Sequence, residues 1–158
     1  MRLSRAVGLP GPLPDIQGVA VRLETPGGPA DLLFATTGSG RFSRYLLLLR
    51  RSPHVPMTTL LPVRTVRGPL QLRLVPEVPA GGVRSWVLGA ARPRDSRWAP
   101  IGRLVADAEP VGPDPDPPVR FEPVGNVPTG TAQYRWVRLL RGPAYVLARR
   151  WSPAGSWR

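Results

Sequence analysis

The sequence predicts a mainly β protein, an antiparallel barrel or sandwich followed by a C-terminal helix, and three observations carry that reading. The 22 prolines and 17 glycines are too many for a helical bundle, because proline lacks a backbone donor and glycine costs ordering entropy inside a helix. Several short stretches alternate apolar and polar residues with a period of two, as half-buried strands do. Clusters of Pro and Gly separate those stretches at regular intervals, which is the punctuation of an antiparallel sheet. A chain of 158 residues suits one domain with one core.

The first clear strand is Gly18 to Leu23, where Val19, Val21 and Leu23 alternate and Arg22 faces outward. "TPGGPA" turns the chain into a second strand, Asp31 to Thr37, and "GSG" (Gly38 to Gly40) forms the next turn. "RFSRYLLLLR" (residues 41–50) is a short apolar block without a decisive period, and its context favours a strand. "TTLLPVRTVRGPLQLRLVP" reads as two strands joined at Val66 to Pro69. Leu70, Leu72 and Leu74 lie on one face of the second, Gln71 and Arg73 on the other. Val83 to Ala91 and Trp98 to Ala108 supply two more strands.

Residues 1–108 thus hold the strands of a single domain, residues 109–118 form a connector, and residues 119–158 form a C-terminal segment. The connector, "EPVGPDPDPP", is too rich in proline for a helix or a central strand. In the last segment "WVRLLRGPAYVLARRW" (Trp136 to Trp151) mixes apolar residues with arginines as an amphipathic helix does. Pro143 fits such a helix only within its first turn, where the missing N–H has no intrahelical acceptor.

The net charge of +12 raises the question of a polyanionic partner, since phosphate neutralisation is the strongest use of a basic surface. All 22 basic residues are arginine, they are scattered along the chain, and Asn occurs only at Asn126. A GC-rich codon bias produces the same composition with no ligand involved. Nucleic-acid binding is therefore expected to be unspecific. The longest purely apolar run, Tyr45 to Leu49, falls far short of the ~20 residues of a membrane helix. Gly8, Pro10, Gly11, Pro12 and Pro14 interrupt any leader-like region. A cytoplasmic protein with no membrane partner is the expectation, and without cysteine neither disulfides nor thiolate zinc sites can form.

Residues for catalysis are sparse. His54 is the sole histidine, it stands between two prolines, and a solvated loop is its expected place. No serine sits in a G-x-S-x-G elbow, and a phosphate-binding G-x-x-x-x-G-K-[ST] loop cannot exist without lysine. Asp114 and Asp116 supply too few oxygens for a rigid cation site. "GSGR" is read as a turn rather than an anion cradle. One pair stands out: Arg141 and Tyr145 are spaced i and i+4, so on a helix they share a face. A nearby cation favours phenolate, a hard oxygen ligand suited to ferric iron, while the alternative is a packed tyrosine ring with an arginine lying over it.

Several separated stretches resemble the haem-dependent catalase superfamily. "RLS" (Arg2 to Ser4) is similar to the R-F-S of catalases, and "DIQGVAVRL" (Asp15 to Leu23) to D-x-R-G-F-A-V-K-F. "DL" at Asp31 and Leu32 matches the D-L that enters the next catalase strand. "FEPVGNVP" (Phe121 to Pro128) resembles F-x-P-x-N-x-V-P, and Arg141-x-x-x-Tyr145 is spaced as the proximal R-x-x-x-Y. Small catalase-like proteins of high-GC bacteria, often labelled phosphodiesterase, share R-L-S-R-A-x-G-L-P, P-D-x-x-G-x-A-x-R and D-L-L-x-A-T-T.

The resemblance implies a shortened catalase-like β-barrel with haem as cofactor, Tyr145 as the axial metal ligand, Arg141 stabilising its phenolate and Arg2 facing a propionate. It also exposes departures. The distal histidine of a catalase lies upstream of R-F-S, so an N-terminally short chain, or a start other than Met1, is expected. The distal asparagine falls on Ala35 or Thr36, and the family's later D-x-Q is replaced by Leu147 and Arg149. Peroxide heterolysis needs a distal base and a polar neighbour, so haem binding without catalase turnover is the expected function. An arginine-rich polyanion-binding module and a phosphodiesterase are the alternatives, the latter without the several His and Asp ligands of a bimetallic site.

Overall fold

A computed structural model describes residues 1–5, 12–52, 54–78, 83–106, 121, 126–132 and 134. Among them nine strands form one sheet: β1 (Arg2–Arg5), β2 (Gln17–Thr25), β3 (Gly28–Thr36), β4 (Met57–Thr58), β5 (Val63–Thr65), β6 (Gly68–Pro76), β7 (Ser85–Ala91), β8 (Ala99–Val105) and β9 (Thr131–Ala132). Every pairing is antiparallel, and the coarse prediction of a mainly β chain holds. The order is β1-β2-β3-β4-β6-β7-β8, with β5 also on β6 and β9 on β5. The expected connector at 109–118 and the helix over 136–151 lie outside the described residues.

Two hairpins share one turn chemistry. In each, a threonine pairs with a glycine across a two-residue turn, Thr25 with Gly28 and Thr65 with Gly68. Each threonine hydroxyl donates to that glycine's carbonyl, at 2.6 and 2.7 Å. Both glycines have a φ of 105°, a conformation that a Cβ disfavours and glycine adopts freely. The residues that follow are proline in both hairpins, so "T-x-x-G-P" is a local repeat that sets register twice.

Alternation then decides the faces. Val19, Val21, Leu32, Phe34, Met57, Leu72, Leu74, Trp86 and Ala90 pack together as the core. They sit at positions paired across the sheet, such as Val19 with Phe34, Met57 with Leu74 and Leu72 with Ala90, so one face carries nearly all the apolar burial. The opposite face carries Gly18, Arg22, Asp31, Thr58, Gln71 and Arg73. Its buried polar residues make this face, rather than the core, the place to look for function.

The strand expected over residues 41–50 is a correction. Ser43–Tyr45 is a short 3-10 turn, and Leu47 and Arg50 make only isolated bridges, to Thr37 and Asp15. The turn closes on itself: the Gly38 amide donates to the Ser43 carbonyl, the Gly40 amide to Ser43 Oγ, and the Arg44 amide to the Gly40 carbonyl. Backbone groups consumed locally cannot build a ladder. Phe42, Leu46, Leu47 and Leu49 consequently remain exposed.

Candidate functional site

Three polar clusters are built into the described residues. The first joins β2 to β3, where Arg22 and Asp31 are direct cross-strand partners. Arg22 Nε and Nη2 donate to the two oxygens of Asp31, each at 2.8 Å. Asn126 also serves this residue: its side-chain amide donates to Asp31 Oδ2 at 3.0 Å, and its carbonyl accepts the Asp31 amide at 2.8 Å. The Arg22 guanidinium also lies over the Phe121 ring, 5.4 Å from its centre. The hydrogen bonds it donates to Asp31 raise the Arg22 pKa above its ordinary value.

The segment 126–132 then runs past both hairpin turns. The Thr129 and Thr25 hydroxyls lie 3.0 Å apart, and Thr131 and Ala132 pair with Thr65 and Arg64 as β9. A single stretch of chain therefore ties the Asp31 cluster to both turns.

The second cluster surrounds Asp15, which is fully buried. Its backbone exchanges two hydrogen bonds with Arg50, at 3.0 and 2.7 Å. Its Oδ1 accepts the Ile16 amide at 2.6 Å, and its Oδ2 lies 3.4 Å from Arg5 Nε. Like Asp31, it is a carboxylate whose charge is met by an arginine.

The third cluster lacks such a carboxylate. Arg44, in the 3-10 turn, is fully buried, and its guanidinium donates to three main-chain carbonyls, Gly40 at 3.2 Å, Arg92 at 3.4 Å and Asp95 at 2.6 Å. Thr58 Oγ1 donates to the Arg44 carbonyl and accepts from Thr37 Oγ1, fixing the turn on the polar face. Both Arg44 and Arg73 lie over the Trp98 ring, 4.5 and 4.7 Å from its centre. Trp98 packs beside Gly89 of β7, where an added Cβ would stand at ordinary contact distance, 3.7 Å from Trp98 Cβ and 3.5 Å from the Ala99 carbonyl.

Arg73 Nε and Trp98 Nε1 are buried without a hydrogen-bond partner among the described residues. Burial, and secondarily the nearby Arg44 charge, lowers the Arg73 pKa. Trp98 also lines an open cleft of about 520 Å³ with Leu70, Arg92, Asp95 and Arg97.

Of the residues expected from the sequence to hold haem, only Arg2 is described. It is exposed on β1, paired with Ala20. Two residues on, Ser4 Oγ would lie 2.9 Å from a Cβ on Gly18, so β1 approaches β2 closely there. Tyr145 and Arg141 lie outside the described residues, as do Asp114 and Asp116. His54 is exposed, as its loop context predicts. Among the described residues no three of His, Cys, Asp and Glu stand close enough to hold a metal ion, and no helix is long and apolar enough to cross a membrane.

Sequence reasoning passed over Asp15, Asp31 and Arg44 as buried charges. For Asp31 a signal existed: Arg22 precedes Thr25 by as many residues as Asp31 follows Gly28, so a two-residue turn must set them opposite. For Arg44 there was none, because two of its three carbonyl acceptors, those of Arg92 and Asp95, come from a distant loop and main-chain acceptors carry no side-chain signature. Comparison of the chain with protein-family models, with curated proteins and with solved structures finds no match.

Proposed function

We propose that the chain is a catalase-like β-scaffold that binds haem without turning over peroxide. The observation that supports this reading is the Asp31 cluster. It brings into contact three of the segments that resemble the catalase superfamily: the strand with Arg22, the D-L at Asp31 and Leu32, and "FEPVGNVP" with Phe121 and Asn126. Arg22 and Asp31 meet through their own hairpin, but Phe121 and Asn126 have no local reason to meet them, and a shared architecture provides one.

On this reading Tyr145 would hold the ferric iron through its phenol oxygen, Arg141 would keep that phenol ionised, and Arg2, on the exposed strand β1, would pair with a haem propionate. A tyrosine oxygen is a chemically suitable ligand for ferric iron. Ala35 and Thr36 stand where the resemblance expects a distal amide; Thr36 is buried, and its hydroxyl already donates to the Leu48 carbonyl and accepts the Gln17 amide. Its one proton is thus already committed, so it has none to donate to a peroxide.

Peroxide dismutation by the haem-loaded protein, followed as oxygen evolution, is expected to equal that of free haem. Turnover well above that control contradicts the reading. The rival, unspecific polyanion binding, is favoured by the loop Arg92 to Arg97, whose three arginines are exposed. It predicts DNA retention at low salt that disappears near physiological salt and is insensitive to Tyr145. The phosphodiesterase reading predicts metal-dependent ester hydrolysis, and no group among the described residues supports it.

A further inference from the structure

The loop that replaces the expected strand over residues 41–50 carries an exposed apolar group that the fold does not use. Phe42 is 78% exposed, and Leu46, Leu47 and Leu49 stand in solvent with it. The backbone holds them out. The Leu46 amide donates to the Ser43 carbonyl at 3.0 Å and the Leu48 amide to the Thr36 carbonyl at 2.9 Å, while Arg50 exchanges two hydrogen bonds with Asp15. Arg44 and Tyr45, which face inward, pin the turn to the main-chain carbonyls of Arg92, Pro93 and Asp95. Neighbours of both parities are exposed, Leu46 with Leu47 and Leu49 with Arg50, so the strip projects from the sheet rather than lying upon it. A fixed group of large exposed apolar side chains marks an interaction surface.

Charge tells what covers it. Residues 32–76 hold seven arginines and no Asp or Glu. Arg41, Arg50 and Arg51 flank the apolar side chains and are exposed, and the Arg41 guanidinium lies 5.5 Å from the centre of the Phe42 ring. The two carboxylate residues whose backbones touch this loop do not offset that charge. Asp15 is buried against Arg5, and Asp95 lies in a loop with three exposed arginines. A second copy of the chain would set like charges against each other, so the partner is acidic. Nucleic acid stacks on an aromatic ring but gains little from three leucines. An anionic bilayer surface suits both halves of the loop: its headgroups attract arginine, and its acyl boundary takes Phe and Leu. It also closes around a projecting loop on all sides, whereas a protein partner covers one face.

We propose that residues 41–51 dock the protein on an anionic lipid surface, with Phe42 and the three leucines at the acyl boundary and Arg41, Arg50 and Arg51 at the level of the phosphates. Docking of this kind needs no membrane-spanning segment, and the expectation of no membrane partner rested on the shortness of the apolar runs. It uses none of the residues of the haem reading, so either can fail without the other.

Co-sedimentation of the full chain with vesicles tests it, using phosphatidylcholine alone and phosphatidylcholine with about 30% phosphatidylserine, whose surface potential attracts basic groups. Binding is expected to be at least about tenfold tighter on the anionic vesicles. Phe42→Ser is expected to weaken it about tenfold and Arg51→Gln about fivefold, as the loss of one buried aromatic and of one basic contact at the interface should. Both side chains are exposed, and circular dichroism verifies the sheet in each variant. Arg84→Gln removes the same charge from an exposed site at the opposite end of β7 from Arg92, and it should change binding by less than about twofold. Failure of the wild type to bind anionic vesicles, equal binding to neutral ones, or an Arg84→Gln effect as large as that of Arg51→Gln overturns the proposal. So does vesicle binding that Phe42→Ser leaves unchanged. Retention of DNA or poly-glutamate that falls in Phe42→Ser as steeply as vesicle binding does identifies a soluble acidic partner and overturns it as well.

Discussion

Arg22 and Asp31 stand directly opposite each other on β2 and β3, joined by two hydrogen bonds of 2.8 Å, with the Asp31 side chain fully buried. A buried carboxylate needs more than one partner, because its desolvation exceeds what a single pair returns. Asn126 adds to the pair through its side chain and its backbone. The pair is therefore the point at which a segment remote in sequence attaches to the sheet.

Removing the carboxylate leaves Arg22 and Asn126 without their acceptor. Asp31→Ala is expected to lower stability by about 3 kcal/mol, measured by urea unfolding. Asn126→Ala should cost about 1–2 kcal/mol, because Arg22 still serves Asp31. A loss below about 0.5 kcal/mol for Asp31→Ala, the size of an ordinary surface change, would mean that the cluster does not anchor segment 126–132.

The two hairpin glycines allow a contrast that isolates backbone conformation. An added Cβ would meet nothing within 4 Å at Gly28 or Gly68, so only the φ of 105° opposes a side chain. Gly28→Ala and Gly68→Ala are each expected to cost about 1–2 kcal/mol. Gly102→Ala, equally open but at ordinary φ, should be neutral or slightly stabilising. Equal effects at all three sites in thermal unfolding would remove the conformational explanation.

Glu77 sets a pH dependence of known sign. Hydrogen bonds from Ser85 and then Arg103 hold its carboxyl below the ordinary glutamate value of 4.5, and Arg103 Nε lies 2.6 Å from Glu77 Oε2. The folded pKa lies below the unfolded one, so the stabilisation is complete above pH 4.5 and is lost as pH falls through the folded value. The Tm difference between the wild type and Glu77→Gln should therefore shrink on acidification from neutral pH to about pH 3. A difference that grows on acidification would reverse the assignment.

Much of the sheet was legible because its signals are local. The alternation of Leu70, Leu72 and Leu74 places all three on the core side, and the Thr-x-x-Gly-Pro turns set the register of the β2–β3 and β5–β6 hairpins. Residues 41–50 were misread because an apolar run suggests a strand only when its backbone is free to pair, and Ser43 and Gly40 had already closed that backbone into a turn. Arg44 and Asp15 were invisible for a related reason: main-chain groups of other segments partner them, and main-chain partners leave no trace in residue identity. Tyr145, Arg141 and the expected terminal helix lie outside the described residues.

The most direct measurement is a titration of ferric haem into the wild-type protein and Tyr145→Phe, read by absorption spectroscopy, with circular dichroism to verify that the variant folds. The expected result is saturable binding with a high-spin spectrum and a tyrosinate charge-transfer band, and loss of that band in Tyr145→Phe with the sheet retained. Saturable binding with an unchanged spectrum in Tyr145→Phe would contradict the axial assignment, and no saturable binding to the wild type would contradict the haem function itself.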